Sequence, residues 1–225
     1  MYTEEERAHK IAIPTYTLAE ELMNAISHGI GALLGIAGLV LCVVKAAHTG
    51  NPWKIVSVCI FGFTVFLLYI MSCLYHALKV NRAKRVFRVF DHCTIFLLIA
   101  GTYTPYTLVV LRPEHPVLAW VIFGVIWATA ITGIVFNSIN LKKFATISVV
   151  CYILMGWMIV IAYPAMAKAM DPAGIRLLIY GGVAYTVGAV LYAVGSKKKF
   201  AHSIFHLFCL AGTLLHFFSI YLYVL

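Results

Sequence analysis

The chain has 225 residues, of which 63% are hydrophobic and 11% charged, and its mean hydropathy is +0.95. This composition excludes an ordinary soluble domain and predicts a polytopic membrane protein that forms one domain over residues 1–225. The net charge of +9 does not indicate a nucleic-acid partner, because the basic residues lie in short connections between apolar segments.

Apolar segments of about 20 residues follow one another along the chain, each long enough to cross about 30 Å of hydrocarbon as a helix. They lie at 22–44, 56–78, 89–111, 117–136, 144–165, 175–194 and 202–225. The sequence lacks the alternation of apolar and polar residues that marks a membrane barrel. It therefore predicts an all-α membrane protein with seven transmembrane helices, whose backbone groups are satisfied within each helix.

The first helix is predicted to begin after Thr17. Thr17 and Glu20 have the spacing of a capping box, in which the hydroxyl and the carboxylate satisfy free backbone donors. Residues 1–16 would form a short cytoplasmic segment. A cleaved signal peptide is not expected, because no short apolar core with a small-residue cleavage site precedes the first span.

Small residues inside the segments are predicted to serve packing. Gly31 and Gly35 form a small-xxx-small pair in the first helix, and glycines recur every seven residues in the sixth. The recurring glycines are Gly181, Gly188 and Gly195. The six cysteines include no Cys-x-x-Cys pair, so neither a disulfide framework nor a thiolate metal site is expected.

The basic residues predict the orientation of the chain in the membrane. With the N-terminus in the cytoplasm, twelve of the seventeen lysines and arginines fall on the inside. These are Arg7, Lys10, Lys79, Arg82, Lys84, Arg85, Arg88, Lys142, Lys143, Lys197, Lys198 and Lys199. The positive-inside rule then places the N-terminus in the cytoplasm and the C-terminus outside.

Several polar side chains interrupt the apolar segments. Ionisable groups in a bilayer are costly, so a group of them near one membrane face indicates a site. They are Glu20, Asn24, His28, Ser72, His76, Asp91, His202 and His206. The predicted orientation brings all of them to the cytoplasmic leaflet, on helices 1, 2, 3 and 7.

Three of the histidines are predicted to bind Zn²⁺. His202 and His206 are four residues apart, so a helix places both imidazoles on one face. Such a pair is weak evidence alone, but His76 lies at the same membrane depth. Three neutral imidazoles leave a fourth tetrahedral position open, which is typical of catalytic zinc.

Asp91 and Ser72 are the candidate catalytic residues. Asp91 would act as general base towards a water in the open position, and Ser72, one turn before His76, would position the water or a substrate oxygen. Two simpler interpretations remain open. In these interpretations Asp91 only pairs with Arg88 at the start of its helix, and Ser72 only packs or bonds to a backbone carbonyl.

Glu20, Asn24 and His28 recur at intervals of four residues and share one helix face. We expect them to support the metal site through hydrogen bonds. The simpler interpretation is that Glu20 caps the helix, Asn24 joins helices and His28 is a satisfied core histidine.

These motifs, in this order, resemble the progestin and adipoQ receptor (PAQR) family, whose bacterial members are called haemolysin III proteins. The matching stretches are EELMNAISHG, SCLYH, FDHCTIFLLIAGTYTP and HSIFHLFCLAG, and the resemblance runs from about residue 17 to the end. The chain looks like the short bacterial branch, a multi-pass protein of the inner membrane. The resemblance implies seven helices with the N-terminus inside, zinc at His76, His202 and His206, and Asp91 near the bound water.

The resemblance also implies two possible functions. Animal adiponectin receptors are associated with ceramide hydrolysis, and alkaline ceramidases share the pattern, which implies a zinc-dependent hydrolase of a lipid amide or ester with a membrane lipid as substrate. Bacterial members are named for haemolysis and linked to membrane homeostasis, which implies a non-enzymatic, receptor-like or cytolytic protein with structural zinc. A channel is disfavoured because the ionisable residues stay in one leaflet, and paired axial histidines for haem are not evident.

Overall fold

The computed structural model describes residues 11, 13–195 and 198–225. Most of the predicted cytoplasmic segment 1–16 lies outside these residues, as do Arg7, Lys10 and Lys197. The described part consists of α-helices, one π-helical turn and short connections. The helices are α1 Leu18–His48, α2 Pro52–Ala77, α3 Arg82–Pro105, α4 Pro116–Trp157, α5 Ile159–Ala169, α6 Pro172–Gly195 and α7 Ala201–Tyr223.

Local capping signals explain where the first helices begin. At the start of α1, Thr17 and Glu20 form the predicted capping box. Asn51 caps α2, in which Pro52 occupies the first turn, where a missing N–H costs nothing. Asn81 caps α3 through a bond of 2.8 Å from the backbone N–H of Lys84.

Helix α3 begins earlier than the sequence predicted. Its first residue is Arg82, whereas the predicted span began at residue 89. Lys84 therefore lies in the first turn of a helix, where it is 2% exposed, and its placement in a short connection between spans was wrong. At the other end, α3 stops at Pro105 and continues as a π-helical turn, Tyr106–Leu111, because proline lacks the N–H that an α-helix needs.

Helix α4 reverses direction at Asn140. This residue has non-helical backbone angles, φ −159° and ψ 90°. Ser148 donates to Asn137 Oδ1 at 2.7 Å, although eleven residues of straight helix would span about 16 Å. The rings of Phe136 and Phe144 stack, with 4.8 Å between their centroids. The limbs before and after Asn140 therefore lie side by side.

Among the described residues, six helices are long and apolar enough to cross a membrane. The sequence predicted seven. The difference arises at Pro116–Ala169, an almost continuous helical run of 54 residues that is interrupted at Asn140 and by a turn at Met158. The chain is thus an all-helical, multi-pass membrane protein in its described part.

The helices form a bundle in chain order. Helix α1 packs against α2 and α7, α2 against α3, α3 against α4, and α6 against α7. Helix α3 and the π-helical turn that follows it are central. In their most apolar stretch 78% of the residues are buried, compared with 11% for Pro116–Ala169. Helix α7 lies beside α1, and the candidate site lies where these two helices meet the end of α2.

Glycines allow the close approaches in this bundle. A Cβ atom on Gly31 would lie 2.5 Å from the ring of Tyr69, and one on Gly181 would lie 2.2 Å from His216. Contacts this short explain the small-residue patterns, as predicted for α1 and α6. All six cysteines lie within the described residues and are free.

Candidate metal centre

Three histidine side chains converge where α2 meets α7. His76 lies in the last turn of α2, and His202 and His206 lie one turn apart at the start of α7. Nε2 of His202 is 3.3 Å from Nε2 of His76 and 3.1 Å from Nε2 of His206. Potential ligand atoms of all three residues lie within 4.8 Å of one another. The structure thus brings together the three predicted ligands.

The spacing of these nitrogens fits a tetrahedral metal ion. With zinc–nitrogen bonds of about 2.0–2.1 Å, two ligands of a tetrahedral ion are about 3.3–3.4 Å apart. The observed separations of 3.3 and 3.1 Å are close to that value. His76 and His206 are only 2% and 1% exposed, so an ion here would be held away from bulk water. The donor set suits a divalent metal.

Glu21 fixes the tautomer of His76. Its Oε2 lies 2.7 Å from Nδ1 of His76. A carboxylate only accepts hydrogen bonds, so the proton of the neutral ring resides on Nδ1 and the lone pair of Nε2 faces the other two histidines. A carboxylate behind a histidine in this way is common in zinc sites, where it orients the ligand.

Lys84 completes this arrangement. Its Nζ donates to Glu21 Oε1 at 2.6 Å and to the carbonyl of Leu78 at 2.9 Å. The ammonium group also lies 5.1 Å from the ring centroid of Tyr75. The pair of Lys84 and Glu21 therefore links the start of α1 to the first turn of α3, beside the metal ligands.

Glu21 was not among the site residues predicted from the sequence. The residue lies about 100° around the helix from the face shared by Glu20, Asn24 and His28. Its role depends on how α1 packs against α2, which the spacing of residues within α1 does not reveal. The sequence did place an acidic residue, Glu21, and a lysine, Lys84, near the same predicted membrane face, which was the only available signal for this pair.

The three residues predicted to support the site make different contacts. Glu20 accepts hydrogen bonds from the Thr17 hydroxyl at 2.7 Å and from the backbone N–H of Phe200 at 2.8 Å. Phe200 has φ 62° and directly precedes α7. Glu20 therefore both caps α1 and holds the residue that leads into His202.

Asn24 and His28 contact the histidine cluster itself. The Asn24 amide nitrogen is 3.5 Å from Nδ1 of His76, and its oxygen accepts a bond of 2.6 Å from Ser203. The ring of His28 stacks on His206, with 3.5 Å between centroids and 10° between planes. Neither ring nitrogen of His28 has a hydrogen-bond partner among the described residues.

The structure places the two candidate catalytic residues differently. Ser72 is completely buried one turn before His76, and its hydroxyl has no partner among the described residues. Asp91 is 8% exposed and lies outside the three-histidine cluster, with Oδ2 3.7 Å from Nδ1 of His92. Within the described part, no ion pair joins Asp91 to Arg88. The simpler interpretation, in which Asp91 only pairs with Arg88, therefore has no supporting contact.

Aromatic rings flank the cluster, and none of them was predicted from the sequence as part of the site. Tyr16 stacks on His202, with 5.3 Å between centroids and 17° between planes. Tyr75 lies 4.5 Å from His76, and Tyr192 lies 5.1 Å from His202, measured between ring centroids. These rings come from the segment before α1, from α2 and from α6. They hold the ligand rings in place and limit the access of water.

Other histidines take no part in the cluster. His216, ten residues beyond His206, bonds to the carbonyl of Leu178 at 3.0 Å. His92 lies 3.0 Å from the carbonyl of Arg88.

Comparison with known proteins identifies the family. The profile described as "Haemolysin-III related" matches residues 16–217. The chain is 39% identical to "Hemolysin-3" of Bacillus cereus over 96% of its own length and 97% of that protein. It is also 39% identical to "Hemolysin-3 homolog" of Bacillus subtilis (strain 168) over 92% of the chain and 96% of the relative.

A more distant relative is the human "Monocyte to macrophage differentiation factor", 24% identical over 92% of this chain and 86% of that protein. No solved structure matches the chain. The family profile covers most of the chain, including every residue of the histidine cluster. The chain therefore belongs to the haemolysin III family of the progestin and adipoQ receptor (PAQR) proteins.

Proposed function

We propose that the protein is a zinc-dependent hydrolase that cleaves an amide or ester bond of a membrane lipid. The observation that carries this proposal is the convergence of three histidine Nε2 atoms, with the lone pair of His76 directed inward by Glu21. Three histidines leave one tetrahedral position open, as in catalytic zinc sites. The family resemblance to proteins associated with ceramide hydrolysis supports the substrate class.

Zinc bound by His76, His202 and His206 would supply Lewis-acid polarisation of the lipid carbonyl and activation of water. Asp91 would take a proton from the attacking water and return it to the leaving nitrogen or oxygen. The new C–O bond forms as the C–N or ester C–O bond breaks, which releases a fatty acid. Ser72, whose hydroxyl has no protein partner among the described residues, would donate to the carbonyl oxygen.

We also propose that the chain crosses the membrane seven times as one domain. A straight helix over Pro116–Ala169 would be about 80 Å long, far more than the roughly 30 Å of a bilayer core. The contacts across Asn140 support two crossings there instead. Three basic residues on the predicted cytoplasmic side are exposed: Lys79, Arg82 and Lys142. Their exposure supports an orientation in a bacterial inner membrane with the N-terminus in the cytoplasm and the C-terminus outside.

Lipid hydrolysis by the purified protein tests the enzyme proposal. The full chain, reconstituted in vesicles with and without added zinc, is incubated with ceramide-like amides and with lipid esters, and the released fatty acid is measured. We expect zinc-dependent release, and a loss of about 10²–10⁴-fold in Asp91→Asn with metal content unchanged. Asp171→Asn, an exposed carboxylate that caps α6, is the matched control.

Two results would count against this proposal. Full activity in a zinc-loaded Asp91→Asn protein would remove Asp91 from the mechanism. Zinc-loaded wild-type protein that releases no fatty acid from any lipid amide or ester would favour the alternative, a receptor-like or membrane-homeostasis protein, cytolytic in some contexts, with structural zinc. The burial of His76 and His206 and the stacking of Tyr16 on His202 favour that alternative, because they restrict entry to the site.

A further inference from the structure

A groove lies on the surface of the protein between α3 and the two limbs of α4. Its volume is about 260 Å³, and it contains none of the histidine ligands. Phe96 forms its floor, and Phe136 and Phe144 form one end. Ala128 lines the other end, eight residues from Phe136, so the groove extends about 12 Å along the helix.

The groove offers an apolar surface to its occupant. Its three hydroxyl side chains are already bonded within the protein. Thr129 and Thr132 each donate to a backbone carbonyl of their own helix at 2.8 Å, and Ser148 donates to Asn137 at 2.7 Å. A polar ligand would find no free donor on these side chains, whereas a hydrocarbon chain loses nothing by lying against them.

Positive charge lies at the aromatic end of this groove. Lys142 and Lys143 follow the reversal at Asn140 and are both exposed. Nζ of Lys143 is 5.5 Å from the ring centroid of Phe144, which itself lines the groove. The sequence has no acidic residue between Glu114 and Asp171, so no nearby carboxylate on this segment offsets the two lysines.

We propose that this groove binds an anionic phospholipid, with one acyl chain between the limbs of α4 and the phosphate at Lys142 and Lys143. Charge complementarity selects the headgroup, because lysines at a membrane face attract anionic lipids. The second limb of α4 also begins at this point, so its amino-terminal end adds partial positive charge near the phosphate. The site is separate from the metal centre, and its occupancy does not depend on zinc.

Native mass spectrometry of the full chain tests this proposal. The protein is purified from vesicles of equal parts phosphatidylglycerol and phosphatidylcholine, and the retained lipids are counted. We expect wild type to retain phosphatidylglycerol preferentially, and Lys142→Ala with Lys143→Ala to lower that retention about fivefold per lysine. The control pair, Lys79→Ala with Arg82→Ala, removes two exposed charges from the same predicted face, and neither residue is adjacent in sequence to one that lines the groove.

A second variant tests the apolar part. Thr129→Leu with Thr132→Leu fills the groove and is expected to lower retention of both lipids, with zinc content as the check on folding. The proposal is overturned if the control pair loses as much phosphatidylglycerol as the lysine variant. It is also overturned if wild type retains both lipids equally, or if the variants change the oligomeric state rather than the lipid count, which would make the groove a contact between copies of the chain.

Discussion

Oε2 of Glu21, at the start of α1, lies 2.7 Å from Nδ1 of His76, at the end of α2. Replacing Glu21 with glutamine keeps the size of the side chain but removes its charge and its acceptor-only character. We expect the affinity for zinc to fall about 10–100-fold, the usual effect of losing a partner behind a metal-bound histidine. Competition titration of the purified protein with a zinc-binding dye measures this change.

Glu20→Gln is the matched control for that experiment. Glu20 is adjacent in sequence but contacts Thr17 and Phe200 rather than a ligand ring. Glutamine can keep the capping box, so its replacement should weaken α1 only through the lost charge at the helix start, typically by about 0.3–1 kcal/mol, with a smaller effect on zinc affinity. Equal losses of zinc affinity in the two variants would mean that Glu21 acts only through the stability of α1.

The ligand set is tested by metal analysis. Each of His76→Ala, His202→Ala and His206→Ala removes one of three convergent nitrogens, so we expect zinc to fall from about one ion per chain to a small fraction. His216→Ala is the control, because His216 is also a buried histidine of α7 but bonds to a backbone carbonyl. Near-stoichiometric zinc in the triple alanine variant would exclude these ligands.

The reversal at Asn140 makes a prediction about topology. If the limbs of α4 cross the membrane separately, Glu114→Cys and Asp171→Cys lie on the same side, and Lys142→Cys lies on the other. A membrane-impermeant thiol reagent applied to intact cells and to everted vesicles distinguishes the two sides. Labelling of positions 114 and 171 from opposite sides would instead indicate a single crossing by Pro116–Ala169.

Neighbouring glycines of α6 should respond differently to alanine. A Cβ atom at Gly181 would lie 2.2 Å from Cδ2 of His216, whereas the nearest atom to one at Gly182 is 3.9 Å away. We expect Gly181→Ala to destabilise the protein by about 1–3 kcal/mol through overpacking. Gly182→Ala should be neutral or stabilising, since alanine favours a helix by up to about 1 kcal/mol over glycine. Thermal unfolding in detergent compares the two variants, and an equal response would argue against the contact.

The capping box at Thr17 and the three-histidine cluster could be predicted because both follow from spacing within single helices and from membrane depth. The early start of α3 could not, because the basic residues after Asn81 are typical of a connection between membrane spans. Lys84 is helical and buried because Glu21 and the carbonyl of Leu78 satisfy its ammonium group. That compensation comes from other parts of the chain.

By itself, the sequence determined that the chain is a helical membrane protein, and it predicted that His76, His202 and His206 share a membrane depth. Hydropathy and helical periodicity carry that information, since both act over a few turns of one segment. Only the tertiary structure decided that Glu21 rather than Glu20 contacts His76, that His28 stacks on His206, and that α4 folds back at Asn140. These relationships depend on which faces of different helices meet, and packing between helices sets them.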